Sequence, residues 1–402
     1  MNALRTLLVL SLLAMPSAAR AQEGARIDPP PQDALDALVP LAERGAAALV
    51  YFPDGGPQAR TSLVTIVGAP LASVREAIVD AVRWPEFMPP LRAVTALARH
   101  GRRAAYRFEV PASLLDVNAN VSLTEVGPRR VDFAITESEL GPAGARWDLR
   151  PMRDGRTMMV LTSWSDPQQG HWLLRQASRN PSFTAGMNVA VDLALSLAVS
   201  RRASTLAGRP TPPRPPRSDV ASGPLAPPPP GPWLDLNLRY YVLAFQTDRD
   251  GAVTQVTATG QTWGPAEALR ARLEDVGSWS QHVPGVRDTA WEDAQETPAR
   301  AARLSLRSSF DQADGTVART VGPDGSILVE GRGGLDGVSW RWDLHRDPRY
   351  GTVVSLTGGV EANIGALLAR VATSREPFLI PGIAAMRRLV WVRYMLNGIV
   401  PR

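Results

Sequence analysis

The chain has 402 residues, of which 44% are hydrophobic and 21% charged, so each half is long enough to bury a core of its own. It contains no cysteine, which excludes disulfides, thiolate metal sites and a cysteine nucleophile. The formal net charge is +5 and the sequence has arginine but no lysine. Because the arginines are interspersed with Asp and Glu rather than gathered into one patch, the sequence argues against nucleic-acid binding.

The first residues have the pattern of a secretory signal peptide. Arg5 precedes an apolar run from Leu7 to Ala14, and Ala19-Arg20-Ala21 offers a cleavage site. The run is shorter than the about 20 apolar residues that a membrane span needs. We therefore expect cleavage after Ala21 and a mature protein in the periplasm or outside the cell, with an uncleaved anchor as the alternative.

A block of four residues recurs 195 positions later in the chain. Its pattern is D-x3-W-x4-P-x2-R, and the two copies are Asp80, Trp84, Pro89, Arg92 and Asp275, Trp279, Pro284, Arg287. The same offset relates other pairs: Pro70 and Pro265, Trp147-Asp148-Leu149 and Trp342-Asp343-Leu344, Arg175 and Arg370, and Phe183 and Phe378. One constant offset over such a length indicates an internal duplication.

The duplication divides the chain into five parts. We predict a signal peptide at 1–21, an N-terminal segment at 22–46, domain 1 at 47–206, a Pro-rich linker at 207–233 and domain 2 at 234–402. The linker contains the runs PTPPRPP and PPPPGP. Since proline fixes φ and lacks an N–H, this stretch predicts an extended polyproline II spacer.

Each repeat opens with a hairpin and a short helix. In the first repeat we predict strands at Ala48–Phe52 and Ser62–Val67 around the turn Pro53–Gly56, and then a helix at Leu71–Val82. In the second repeat the corresponding segments are the strands Val242–Gln246 and Val253–Thr259 and the helix Pro265–Val276. A proline near the start of each helix fits, because its missing N–H costs little there.

Several strands and one long helix follow in each repeat. Val117, Ala119 and Val121 alternate with polar residues, which is typical of a strand with one buried face. The terminal helices are predicted at Pro181–Arg202 and Pro377–Asn397. The predicted fold class is α+β, with a curved antiparallel sheet packed on a long C-terminal helix, twice over.

The run from Trp84 to Arg92, WPEFMPPLR, resembles the turn after the first helices in the START-like (SRPBCC) superfamily. It is most similar to the polyketide cyclase/dehydrase and coenzyme Q-binding START branch. Asp154–Thr157 resembles the late hairpin of that branch, and Pro181–Asn188 the opening of its terminal helix. The second repeat has Ser280-Gln281-His282 in place of Pro85-Glu86-Phe87 and diverges more. The resemblance implies two tandem helix-grip domains, each with a deep cavity for lipids, sterols, quinones or polyketides, and some members are enzymes.

We expect eight residues to line the two cavities: Phe87, Trp147, Trp164, Met187, Val191, Trp342, Met386 and Val390. In the Trp147-Asp148 and Trp342-Asp343 pairs the tryptophans should face inward, because an unpaired buried carboxylate is costly. The opposite orientation would make the aspartates candidate acids with a raised pKa. The four histidines have no metal-binding spacing, so we predict no catalytic residue, metal site or cofactor.

The recurring polar and aromatic residues of the first motif favour structural roles. Asp80 and Asp275 are candidates to fix the following turn by pairing with Arg92 and Arg287 respectively. Their neighbours Trp84 and Trp279 are expected to be buried core residues, since one such ring gains on the order of 2–3 kcal/mol from burial.

These patterns favour an exported protein that binds or carries a hydrophobic small molecule or lipid, with an apolar cavity in each domain. The alternative is an aromatase/cyclase or dehydratase-type enzyme acting on a polyketide-like substrate, and a third possibility is a structural role with side chains filling the interiors. Transient membrane contact is suggested by Arg387, Arg388 and Arg393 beside Trp391 and Tyr394, although a solvated helix face would look the same. The sequence does not indicate an oligomeric state.

Overall fold

The computed structural model describes most of both repeats. The described residues are 30–52, 60–88, 91–112, 115–172, 175, 178, 181–209, 231–248, 253–292, 299–307, 312–349, 351–360 and 380–397. The predicted signal peptide, most of the predicted linker, the turn Pro53–Gly56 and the repeat partners Pro89, Arg370 and Phe378 lie outside them.

Six α-helices and sixteen β-strands lie in the described residues. The helices are α1 (Gln32–Ala42), α2 (Leu71–Val79), α3 (Pro181–Leu206), α4 (Ala266–Glu274), α5 (Trp279–His282) and α6 (Ile380–Asn397). The strands of the first half are β1 (Gly45–Tyr51), β2 (Arg60–Val67), β3 (Ala93–His100), β4 (Arg103–Ala112), β5 (Leu115–Gly127), β6 (Arg130–Ser138), β7 (Ala143–Pro151) and β8 (Thr157–Ser165). The strands of the second half are β9 (Tyr241–Thr247), β10 (Val253–Thr262), β11 (Val286–Trp291), β12 (Ala299–Arg307), β13 (Gln312–Val321), β14 (Ile327–Gly333), β15 (Ser339–Asp347) and β16 (Gly351–Gly359).

The order of elements is the same in both halves, as the duplication predicts. Each half has a hairpin, a short helix, a 3₁₀ turn, six further strands and a long terminal helix. This order supports the two tandem START-like domains predicted from the sequence. Helix α2 ends three residues earlier than predicted, because Asp80 leaves the helical conformation and a 3₁₀ turn from Ala81 to Glu86 follows.

The strands form one antiparallel sheet that runs through both domains. Its order is β11-β12-β13-β14-β15-β16-β10-β9-β1-β2-β8-β7-β6-β5-β4-β3. The two halves join where β1 pairs with β9, and Ala48 lies opposite Leu243 in this pairing. Leu243 is also the duplicate of Ala48, 195 positions later, so the register is symmetric about this pair. The domains are therefore related by an approximate two-fold axis through the β1–β9 junction.

Helices cover both faces of the sheet at this junction. Helix α3 packs on β2 and β8, α6 packs on β10 and β16, and α3 and α6 also pack against each other. On the opposite face α1 lies over β1, β2 and β9, and it buries Leu35, Leu38 and Leu41 there. The predicted N-terminal segment, 22–46, was given no secondary structure from the sequence, and α1 lies within it. A 3₁₀ turn, Pro232–Leu238, begins in the last residues of the predicted linker and packs beside α1.

Candidate ligand site in domain 1

Domain 1 contains an apolar cavity of about 200 Å³ between α3 and the strands β6 to β8. Its apolar wall includes Phe133, Ile135, Ala145, Trp147, Trp164, Met187, Val191 and Leu195. The volume exceeds the roughly 150 Å³ of an engineered cavity that binds benzene, and it is below the roughly 300 Å³ at which drug-sized pockets begin. The cavity therefore suits a molecule of one or two rings.

A strip of polar side chains crosses this apolar wall. On α3 it consists of Thr184, Asn188 and Asp192, which recur every four residues and so share one face of the helix. On β8 it consists of Ser163 and Ser165, two residues apart and on one face of the strand. Ser165 Oγ donates a 2.6 Å hydrogen bond to Asn188 Oδ1, so the two elements are joined along this polar strip.

Asp192 is the charged member of the polar strip and is only 2% exposed. Its Oδ2 accepts hydrogen bonds from Thr61 Oγ1 at 2.6 Å and from Ser163 Oγ at 2.7 Å. Burial raises the pKa of the Asp192 carboxyl to about 7, and the two hydroxyl donors offset part of that effect. A carboxyl that titrates near neutrality inside an apolar cavity is a candidate functional group.

Sequence reasoning missed Asp192, although a signal was present. It is the only charged residue between Pro181 and Ser200, in the largely apolar stretch NVAVDLALSLAV. An isolated carboxyl in the middle of a buried helix is rare, because burying its charge is costly. Its hydrogen-bond partners Thr61 and Ser163 lie on the strands β2 and β8, and neither belongs to a recognisable sequence motif.

Four of the eight predicted lining residues border this cavity: Trp147, Trp164, Met187 and Val191. Phe87 does not, because it packs half-buried against the core of domain 1 with the Arg202 guanidinium 5.7 Å from its ring centre. The remaining three belong to the second half of the chain. That the four bordering residues bind a ligand stays a prediction.

Trp342, Met386 and Val390 have packing roles in the second half. Trp342 is fully buried in the core of domain 2. Met386 lies at the contact between the terminal helices, where a Cβ on Gly186 would overlap its sulfur, and Val390 packs beside it. Helix α6 is covered both by the sheet and by α3, and that these three residues line a cavity stays a prediction.

The orientation of the Trp-Asp pairs is the expected one. Trp147 is 1% exposed and borders the cavity, whereas Asp148 pairs with Arg146 at 2.8 Å. In domain 2 Trp342 is buried and Asp343 pairs with Arg341 at 2.9 Å. These aspartates are therefore held by neighbouring arginines on their own strands and are not acids of a cavity.

The predicted pairing of Asp80 with Arg92 is wrong. Arg92 lies at the start of the β3–β4 pairing, where its side chain reaches Glu109 at 3.3 Å. In the second copy Asp275 accepts a 3.0 Å hydrogen bond from Trp291 Nε1. The prediction for Trp84 and Trp279 is confirmed: both are buried, and each ring N–H donates to the carbonyl seven residues earlier.

Domain 2 does not repeat the polar strip. The positions equivalent to Thr61, Ser163 and Asp192 are occupied by Val256, Gly358 and Arg387. The carboxyl is thus replaced by an arginine, and its two hydroxyl donors are replaced by a valine and a glycine. The polar chemistry is specific to domain 1.

Large side chains occupy the interior of domain 2 at the same place. Ala145 and Ser196 of domain 1 correspond to Trp340 and Trp391, whose ring centres lie 5.0 Å apart in the core. Arg388 crosses the space above Gly358, and its guanidinium donates to the carbonyls of Ala384 and Gly359. In the described part of domain 2, side chains therefore fill the volume that corresponds to the cavity of domain 1.

Much of the arginine-rich face of α6 is buried. Arg387 and Arg388 are 2% and 1% exposed, and Trp391 is buried beside them. The Arg393 guanidinium lies 4.0 Å from the ring centre of Phe52. Helix α6 packs on α3 and on the sheet, so Arg387 and Arg388 do not form a solvated face, and transient membrane contact of the protein stays a prediction.

The described residues contain no group of three or more His, Asp or Glu side chains placed to hold a metal ion. None of the helices in the described part of the chain has the length and apolarity to cross a membrane.

No protein-family model matches the chain, and no curated protein matches it. Solved structures of similar fold include a di-domain ARO/CYC protein, BexL, at 16% identity and a TM-score of 0.29, covering 85% of this chain and 99% of that one. An aromatase/cyclase from a Streptomyces species has 18% identity and a TM-score of 0.31, over 38% of this chain and 94% of its own. A STAR-related lipid transfer protein fragment from Xanthomonas axonopodis has 17% identity and a TM-score of 0.28, over 38% and 93%.

The similar structures also include a START superfamily protein from Mycobacterium smegmatis, at 16% identity and a TM-score of 0.30. Their identities and TM-scores are too low to transfer a ligand or a reaction to this chain. The cavity and Asp192 are therefore the features of this chain that point to its function.

Replacing Asp192 by asparagine is expected to change how stability depends on pH. The folded protein holds a proton on Asp192 up to a pH of about 7, whereas the unfolded chain releases it near 3.8. As the pH rises between these values, Asp192 lowers the free energy of unfolding, by at most about 1.4 kcal/mol per pH unit. Above pH 7 its contribution to the free energy of unfolding no longer changes with pH. Relative to the wild type, Asp192→Asn should gain stability from about pH 4 to 7 and then stay level. Urea unfolding at several pH values would measure this difference, and parallel pH curves for the two proteins would contradict it.

Proposed function

We propose that domain 1 binds a small hydrophobic molecule that carries a polar group, in the cavity between α3 and the strands β6 to β8. The observation that supports this most is a buried carboxyl, Asp192, in the wall of an apolar cavity. A buried carboxyl destabilises the fold relative to an apolar residue unless it is well paired. Its presence at the centre of an apolar helix is explained if it contacts a bound molecule.

Two residues that line the cavity each carry a further buried polar atom. Thr184 Oγ1 and Trp147 Nε1 are buried, and no hydrogen-bond partner for either lies among the described residues. An unsatisfied buried donor or acceptor costs about 1–3 kcal/mol. A ligand with an oxygen or nitrogen atom would give these groups a partner, while the aromatic and aliphatic wall holds its apolar part.

In this proposal the sheet of domain 1 curves around α3 to form the ligand-binding cup. Domain 2 supports that cup without binding a ligand at the equivalent place, because Trp340, Trp391 and Arg388 occupy its interior. The pairing of β9 with β1 also covers a strand edge of domain 1 that would otherwise be open. The predicted signal peptide would place the protein in the periplasm or outside the cell, where an apolar molecule needs a carrier.

A second candidate function is an enzyme of the aromatase/cyclase or dehydratase type. The observation that favours it is the raised pKa of Asp192, about 7, which suits a general acid or base near neutral pH. The two candidates differ in one measurement. Organic extraction of the protein and mass spectrometry would recover an unchanged, stoichiometric molecule from a carrier, whereas an enzyme would convert a polyketide analogue and lose turnover in Asp192→Asn.

Blocking the cavity should abolish binding. Ala145 borders the cavity, and its duplicate in domain 2 is Trp340, so Ala145→Trp places in domain 1 the side chain that fills domain 2. We expect the affinity for the probe 2-acetylnaphthalene to fall at least about tenfold, equivalent to about 1.4 kcal/mol. Tryptophan fluorescence of the wild type should change on binding, since Trp147 and Trp164 line the cavity.

The matched control for this variant is Val126→Trp. Val126 lies on β5 and is 44% exposed, so an added tryptophan there leaves the cavity unchanged. Equal probe affinity in Ala145→Trp and Val126→Trp would show that the molecule binds elsewhere and would refute the proposed site.

A further inference from the structure

The two oxygens of the Asp192 carboxyl have different surroundings. Both hydrogen bonds that Asp192 accepts from the described residues, from Thr61 and from Ser163, end on Oδ2. The two hydroxyl oxygens also lie 2.9 Å from each other, so both stand close together beside Oδ2. No described residue gives Oδ1 a donor, and Asp192 is part of the cavity wall.

This asymmetry determines where a proton resides. The carbonyl oxygen of a neutral carboxylic acid accepts two hydrogen bonds through its two lone pairs. Oδ2, with two donors, fits that carbonyl oxygen. An ionised group would leave negative charge on Oδ1 in an apolar cavity without a donor, which is unfavourable. The proton therefore belongs on Oδ1, where it is available to a molecule in the cavity.

We propose that Asp192 is a neutral hydrogen-bond donor to the ligand, and that the cavity selects an uncharged hydrophobic molecule bearing a carbonyl oxygen. The inference rests on the proposed function and names the ligand class of that same site. A ligand carboxylate is disfavoured because Asp192 would repel it whenever ionised. A hydrocarbon of the same shape fits the wall but leaves the Oδ1 proton without an acceptor.

No cation of the surrounding elements pairs with Asp192. The elements packed on α3 are β2, β8, α2 and α6, and their ionisable side chains, with those of α3 itself, are Arg60, Arg75, Glu76, Arg387, Arg388, Arg393, Tyr394, Arg201 and Arg202. None of them contributes to the raised pKa of Asp192, which follows from burial and the two hydroxyls. Titration of Asp192 thus reports its own proton.

The test uses three probes with the same naphthalene ring and different side groups. They are 2-acetylnaphthalene, a ketone, 2-ethylnaphthalene, a hydrocarbon, and 1-(2-naphthyl)ethylamine, an ammonium ion. Binding to the full chain is measured at about pH 5.5 and about pH 8.5, on either side of the Asp192 transition. We expect the ketone to bind about tenfold more tightly than the hydrocarbon at the lower pH and to lose that advantage at the higher pH.

Substitutions of Asp192 distinguish its role as a hydrogen-bond donor from the effect of its charge. Asp192→Asn retains an N–H donor and does not titrate, so its preference for the ketone should persist at both pH values. Asp192→Leu should bind both neutral probes equally, and its binding of the hydrocarbon shows that it is folded. Asp148→Asn is the matched control, because Asp148 pairs with Arg146 outside the cavity, and it should keep the pH dependence of the wild type.

The outcomes distinguish this inference from the proposed function. If the ketone and the hydrocarbon bind equally at both pH values, or if the ammonium probe binds best, the donor role is refuted while the cavity remains a binding site. If none of the three probes binds the wild type, the proposed function itself fails.

Discussion

Replacing Gly382 by leucine is expected to separate the two terminal helices and to divide one unfolding transition into two. A Cβ atom at Gly382 would lie 2.2 Å from both Cα and Cβ of Ala190 on the neighbouring helix α3. Backbone atoms cannot rotate away, so the helices must move apart. Overpacking of a core contact costs typically about 1–3 kcal/mol, and we expect a value at or above the upper end of that range.

We expect the wild type to unfold in a single transition, because the two domains share one buried core. Ala185 and Val189 of α3 belong to the same buried cluster as Leu243 and Phe245 of β9. The β1–β9 pairing continues the sheet across this cluster. When one domain unfolds, it therefore exposes part of the core of the other domain. This couples the unfolding of the two domains.

Differential scanning calorimetry would measure the number of transitions, and limited proteolysis would report separation of the domains. The control is Gly127→Leu, because a Cβ at Gly127 meets no atom within 4 Å. A single transition at the wild-type temperature in Gly382→Leu would show that the helix contact does not hold the domains together.

The sequence predicted the duplication but not the joining of its two halves. The constant offset required only that each half repeat its own contacts, whereas the β1–β9 pairing joins residues about two hundred positions apart and has no local signature. One signal was present in β1. Its sequence GAAALVY is apolar on both faces, and such a strand is covered by other elements on both sides rather than exposed at an edge.

Part of the lining of the candidate site was predicted from the sequence. The cost of an unpaired buried carboxylate placed Trp147 inward, and Met187 and Val191, four residues apart on α3, also border the cavity. The same reasoning placed Trp342 and Met386 in a second cavity because it treated the two repeats as equivalent, and that placement stays a prediction. A comparison of Ala145 with Trp340 at the aligned position would have shown that a much larger side chain stands in the second interior.

The second large effect is expected from Trp84→Ala in the core of domain 1. Trp84 is 1% exposed, and its ring lies 5.5 Å from that of Phe108, 6.2 Å from Phe133 and 6.1 Å from Trp147. Truncating a buried tryptophan to alanine costs about 3–5 kcal/mol, since it removes the buried area and leaves a cavity. Its hydrogen bond to the carbonyl of Ala77, 3.2 Å long, is lost as well.

The same substitution should weaken ligand binding at a distance. Phe133 and Trp147 border the cavity on one side and pack against Trp84 on the other, so they lose their support when that ring is removed. Urea unfolding gives the stability change, and 2-acetylnaphthalene titration of the folded fraction gives the affinity. Trp172→Ala is the control, because Trp172 is 56% exposed and should change stability by less than about 0.5 kcal/mol. A cost below about 1 kcal/mol for Trp84→Ala would mean that the aromatic cluster does not support the cavity wall, because so small a loss is typical of positions outside a packed core.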